Sequence, residues 1–107
     1  MRFAIVLAPT AVRELQALPA HIRARVRDGL EQHLRHEPTK LSKSRIKRLR
    51  GLSRPQFRLR IDDTRVFYDV TDATVEVLAI ISKSQAAEWL QERGEEEPGG
   101  ASGEGEG

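Results

Sequence analysis

The stretch from Gln56 to Ile81 reads as three strands in a row: Gln56 to Asp62, Arg65 to Thr71, and Thr74 to Ile81. They are joined only by Asp62-Asp63-Thr64 and Thr71-Asp72-Ala73, and links so short and so rich in turn formers imply an antiparallel meander. The first strand alternates strictly: Phe57, Leu59 and Ile61 can enter a core while Arg58 and Arg60 point together from the other face. The last strand, Val75-Glu76-Val77-Leu78-Ala79-Ile80-Ile81, is nearly apolar on both faces, which suits a central place in the sheet.

Other segments supply what the meander packs against. Phe3 to Ala8 is a short apolar, β-branched run halted at Pro9-Thr10, read as a buried strand. Thr10 can cap a first helix with Val12, Leu15 and Leu18 inward, and Pro19 suits the first turn of a second. In that second helix Ile22, Val26, Leu30 and Leu34 recur every four residues, until Pro38-Thr39 ends it. Ile46 to Leu49 reads as a short strand stopped at Gly51. Ser82 with Gln85 resembles a capping box opening a last helix that offers Ala86, Trp89 and Leu90 and ends at Gly94. The expected class is α+β, ordered β-α-α-β-β-β-β-α, with a helical hairpin packed on one face of a mainly antiparallel twisted sheet. The opposite face, with Arg58, Arg60 and Arg65, is expected to be concave and open.

Charge divides the chain unevenly. Lys40 to Arg65 holds ten Lys or Arg against Asp62 and Asp63, a net +8 in a protein whose total is +2. The balance is restored by residues 94–107, which carry five Glu, six of the eight Gly and no large apolar side chain. Such a segment cannot bury enough surface to offset its ordering entropy, so the reading is a folded domain over 1–93 and a disordered Gly/Glu-rich tail over 94–107. Clustered cations on one rigid face are the electrostatic footprint of a phosphate-binding surface. With no cysteine there is neither a disulfide framework nor a thiolate site. No apolar run is long enough to span a membrane, which makes a cytoplasmic protein the simplest expectation.

Several local patterns, taken in order, resemble the RelE/ParE superfamily of type II toxin–antitoxin toxins. They are Ala8-Pro9-Thr10-Ala11-Val12-Arg13-Glu14-Leu15 with Leu18-Pro19, then Leu49-Arg50-Gly51-Leu52, then Phe57-Arg58-Leu59-Arg60 followed by Thr64-Arg65-Val66-Phe67-Tyr68, and finally the Val75 to Ile80 strand. The resemblance covers residues 2–90. It implies an endoribonuclease (an mRNA interferase) that cleaves ribosome-bound mRNA without metal or other cofactor and so inhibits translation; the RNA's own 2′-OH attacks the adjacent phosphate. It also implies a cognate antitoxin as partner. On the family's pattern Arg65 aligns with the sheet arginine at the scissile phosphate, Arg58 and Arg60 with paired lysines of one branch, and Lys83 with the basic residue after the last strand. These four are the expected catalytic residues. Lys43, Lys47, Arg48, Arg50 and Phe67 are the expected RNA contacts, although Phe67 could equally pack under the last helix.

The departures matter as much. Where many members carry His or Arg and then Tyr after the final strand, this chain reads Ser82-Lys83-Ser84-Gln85-Ala86-Ala87. It also has no carboxylate between Glu37 and Asp62, leaving Lys43, Lys47 or Asp69 as possible proton acceptors. The alternatives are therefore a ParE-like toxin that inhibits DNA gyrase by binding alone, or a weakened member that only binds its antitoxin. His33 and His36 lie one helical turn apart without a third ligand and read as solvent-facing rather than metal-binding. Tyr68, between Val66 and Val70, reads as a core residue with a hydrogen-bonded hydroxyl, and Trp89 as the anchor of the last helix.

Overall fold

A computed structural model describes residues 1–98. The elements are β1 (Ala4–Leu7), α1 (Pro9–Ala17), α2 (Ala20–Leu34), β2 (Ile46–Arg48), β3 (Leu52–Arg54), β4 (Phe57–Ile61), β5 (Thr64–Val70), β6 (Thr74–Ser82), α3 (Lys83–Arg93) and β7 (Glu95–Glu96). The main sheet has the order β1-β6-β5-β4-β2; every neighbouring pair is antiparallel except β1 with β6. The expected meander is β4-β5-β6, and its apolar last strand is interior, flanked by β1 and β5.

Strand alternation sets the two faces. Phe57, Leu59, Ile61, Val66, Tyr68, Val75, Val77 and Ile80 form one core with Ala11 and Leu15 of α1 and Val26, Leu30 and Leu34 of α2. At α2 the fit is close because residue 29 is glycine: a Cβ there would lie 2.5 Å from Ile61 Cδ1. Tyr68 is fully buried on this face and its hydroxyl donates to the Pro38 carbonyl at 2.6 Å, with burial pushing the phenol's pKa up. That bond ties the exit of α2 to the middle of the sheet.

Some local details differ from the sequence expectations. Pro9 opens α1 behind an extended Ala8, so Thr10 lies inside the helix and its hydroxyl reaches toward the Leu78 carbonyl at 3.5 Å. Ala11 takes the inward place expected of Val12, which is left exposed. Ser82 does stand at the N-terminus of α3, but its side chain makes no capping bond and meets Ser84 instead.

The second face was expected to be open and is only partly so. Phe67 of β5 and Ala79 and Ile81 of β6 carry Ala86, Trp89 and Leu90 of α3, with Leu49 alongside. An eleven-residue helix is too short to stand free in water, and burying Trp89 on Phe67 is what holds it down. The tail boundary also shifts, because Glu95–Glu96 pairs with β3 as a two-stranded antiparallel ribbon. Gly51 makes the loop before β3 possible by adopting φ +75°, and its carbonyl accepts the Glu97 N–H at 3.0 Å. The start of the acidic segment is therefore held by backbone pairing, which composition cannot reveal; residues 99–107 of the expected tail lie outside the described residues.

Candidate functional site

The register of the sheet brings the expected arginines together. Lys47 of β2 faces Arg58 of β4, Arg58 faces Phe67 of β5, and Arg60 faces Arg65. Lys47, Arg58, Arg60 and Arg65 thus lie on the second face, with Arg58 and Arg65 directly beside Phe67 and Ile81, which α3 covers. Arg58 is half-buried, and its Nε is buried without a hydrogen-bond partner among the described residues. Among the described residues its only side-chain bond is a long one, Nη2 to the Ser44 carbonyl at 3.5 Å. Burial lowers its affinity for a proton, and the nearby charges of Arg65 and Arg60 lower it further. Among the described residues no carboxylate lies within ion-pair distance of Arg58, Arg60 or Arg65.

Arg65 is held differently. Only 8% exposed, it turns its guanidinium back on the β4–β5 turn, where Nη1 donates to the carbonyls of Asp62 at 2.8 Å and Thr64 at 3.2 Å. Asp62 itself adopts φ 52°, and its carboxylate accepts from Arg25 Nε at 2.5 Å and Nη2 at 3.2 Å. One aspartate therefore joins α2 to the hairpin and gives its carbonyl to Arg65, a linkage with no sequence signal because its partners are 37 and 3 residues away.

The remaining expected site residues disperse. Lys83 is exposed in the first turn of α3, and its backbone N–H is fixed on the Asp63 carbonyl at 2.7 Å. Lys43 and Arg50 are exposed on loops at either end of β2. Arg48 belongs to the first face: it shares a register pair with Phe57, lies 5.5 Å over that ring, and donates Nη1 to the carbonyls of Leu49, Leu52 and Gln56. It braces a loop. Phe67, expected as a base-stacking contact, is fully buried and stacked on Trp89 with centroids 5.1 Å apart and planes 5° from parallel. The ring is spent on the protein's own helix and has no free face for a base.

At the other end of this face is a group that sequence reading missed. Arg54 Nη1 bonds Asp69 Oδ2 at 3.2 Å and Glu76 Oε1 at 3.4 Å, and its Nε lies 3.9 Å from Glu95 Oε2. Asp69 also accepts the Gln56 backbone N–H at 2.8 Å. Burial raises the Asp69 pKa, opposed by that bond and by Arg54. A carboxylate so committed is badly placed to take a proton from a substrate across the face. His33 accepts from Arg45 and His36 approaches the Met1 carbonyl, and no metal-binding cluster occurs among the described residues. Among the described residues no helix is long and apolar enough to cross a membrane.

Over residues 5–87 the chain matches the family model described as ParE toxin of type II toxin–antitoxin system, parDE. No curated protein matches it. Among solved structures, the archaeal RelE–RelB complex from Pyrococcus horikoshii is 27% identical and aligns over 79% of this chain and 99% of its own, with a TM-score of 0.60. The RelBE2 toxin–antitoxin complex of Mycobacterium tuberculosis is also 27% identical, covering 77% and 99%, with a TM-score of 0.61. A mutant of E. coli RelE in the free state reaches 0.64 at 23% identity over 86% and 94%, a likeness of fold.

Proposed function

This chain belongs to the ParE toxin family, within the RelE/ParE superfamily of type II toxin–antitoxin systems, and we propose that it acts as an endoribonuclease on ribosome-bound mRNA. The observation that carries this reading is the guanidinium cluster of Arg58, Arg60 and Arg65, which has no carboxylate partner among the described residues. Half-burying a cation among like charges is costly unless an anion completes the site, and a phosphodiester supplies that anion.

Cleavage by the RNA's own 2′-OH forms a bond from the 2′-oxygen to phosphorus and breaks the bond to the 5′-oxygen. The products are a 2′,3′-cyclic phosphate and a free 5′-OH. Negative charge gathers on the phosphoryl oxygens in between, and pre-placed donors aimed there are the largest single aid to such a step. Arg58 and Arg60 are the donors free to do this. Arg65, anchored on the turn, raises the local potential and fixes the strand beside them. Lys83 stands at the rim as a further cation. The proton of the 2′-OH has no obvious carboxylate acceptor, since Asp69 and Glu76 serve Arg54; Lys47, opposite Arg58, is the nearest candidate by register. The cognate antitoxin, by analogy with the RelB chains of the relatives, would cover the basic face and silence it.

A second reading is supported by one observation: Phe67 is closed off by α3 and Arg65 by its own turn, which leaves a binding surface with little acid–base equipment. That is the ParE-like toxin, inhibiting DNA gyrase through contacts alone. Induced expression followed by mapping of mRNA 5′ ends separates the two. New ends clustered within ribosome-covered codons are expected; intact transcripts with a DNA-damage response would overturn the nuclease reading in favour of gyrase.

A further inference from the structure

We propose that the cleft between α2 and the β2–β4 edge is a nucleotide site adjoining the cleavage face, which takes the phosphate at Arg45 and at Arg60, shared with that face, and the base against Asp28 and Gln32 opposite. The cleft has a volume of about 390 Å³. That lies within the range of small-molecule sites, roughly 300–1,000 Å³, and is ample for one nucleotide. The site shares Arg60 with the proposed cleavage face, but it requires nucleotide binding whether or not the chain cuts RNA.

The cationic wall is built rather than incidental. Arg45 Nη1 lies 2.8 Å from His33 Nε2. Since a guanidinium can only donate, His33 accepts there and carries its own proton on Nδ1 as a neutral imidazole. Burial, with the Arg45 charge second, lowers the His33 pKa and keeps it neutral. Arg45 is therefore oriented by a ring that does not cancel its charge. The Arg60 N–H donates to the Arg45 carbonyl at 2.9 Å, which locks the two residues side by side at the sheet edge. Neither arginine has a carboxylate partner among the described residues.

The facing wall has the opposite character. Asp62 is already satisfied by Arg25, but Asp28 makes no ion pair among the described residues, and Gln32 stands one helical turn further on. Acceptors of this kind suit the amino and ring N–H groups of a base. Between the walls the floor is Ile61, whose side chain fills the space over Gly29 and presents an apolar surface. A bare anion would use only one wall, whereas a nucleotide uses both and rests its sugar on the floor. The source is either a free mononucleotide or the next residue of an RNA strand leaving the sheet face through Arg60.

The test is a titration of the full chain with AMP, GMP, CMP and UMP, followed by backbone amide NMR. Shifts are expected at Gly29, His33, Ser44 and Arg45, saturating below roughly 10 mM. Arg45→Gln, with an unchanged spectrum elsewhere, should weaken binding about tenfold or more. Arg13→Ala, on the exposed side of α1, should leave mononucleotide binding unchanged. A 2′-deoxy trinucleotide distinguishes the sources: tighter binding that Arg58→Ala removes indicates a strand, and binding equal to the mononucleotide indicates a free ligand. Absence of saturation, shifts confined to Lys47 and Arg58, undiminished binding by a folded Arg45→Gln, or equal binding of inorganic phosphate would each overturn the nucleotide site. A missing ribonuclease activity with these shifts present would sink the nuclease reading alone.

Discussion

Two ends of one sheet face treat arginine in opposite ways. At one end Arg54 gathers Asp69, Glu76 and Glu95 from three different elements. At the other, among the described residues, Arg58, Arg60 and Arg65 stand together with no carboxylate in reach and the Arg58 Nε has no hydrogen-bond partner. Between them lies the Phe67–Trp89 stack under α3. The acidic end is closed and does structural work, joining β3, β5, β6 and β7. The basic end is left electrostatically unfinished, and an unfinished site of one sign is completed by a ligand of the other.

The divider should be the most costly place to break. Phe67→Ala removes a fully buried ring and the platform of Trp89, so a loss of about 3–5 kcal/mol is expected in urea unfolding. Trp89 fluorescence should shift to the red as α3 detaches. A stable variant with unchanged emission would mean that the stack does not hold the helix.

Arg58→Ala should do the reverse at the basic end. Stability should stay level or rise, because like-charge repulsion and an unpartnered buried nitrogen disappear together. RNA cleavage should fall roughly a hundredfold to a thousandfold, as when one donor to a charged transition state is removed. If stability drops while cleavage persists, the two ends are not different in kind.

Arg54→Ala should cost about 1 kcal/mol in stability, its half-exposed position screening the pairs, and leave cleavage intact. Smaller still is the pH effect at His33. Its folded pKa lies below the ordinary 6.5, so the unfolded chain takes up the proton first as pH falls. The His33 contribution is therefore complete above about pH 6.5 and shrinks on acidification through the folded value. His33→Gln should flatten that limb of the stability–pH curve; an identical curve would remove the neutral imidazole from the account.

The fold was legible where side-chain alternation and turn residues act locally. Gln56 to Ile81 declared its meander, and the four-residue spacing of Ile22, Val26, Leu30 and Leu34 declared α2. The β3–β7 ribbon was not legible, because two or three residues of backbone pairing leave no apolar period, and Glu95 gave only a compositional hint of disorder. Of the site, alternation gave the face of Arg58, Arg60 and Arg65, and the register places all three together with Lys47 beside Arg58. It could not reveal rotamers, so the folding-back of Arg65 onto Asp62 stayed hidden. Arg48 was misplaced for a related reason: its register with Phe57 depends on how β2 pairs, which its own three residues do not fix. The Arg54 cluster needed contacts 15 and 22 residues apart, beyond any local pattern.

The central claim is that the guanidinium cluster receives RNA phosphate, and salt dependence measures it most directly. Binding of a non-cleavable 2′-deoxy oligonucleotide should be followed across ionic strength for the wild type, Arg58→Ala/Arg60→Ala and Arg54→Ala. Each phosphate contact on a single strand contributes about 0.7 to the slope of log K against log salt, so the double variant should lose about 1.4. Arg54→Ala should keep the wild-type slope. An unchanged slope in the double variant, or an equal loss in Arg54→Ala, would contradict the assignment.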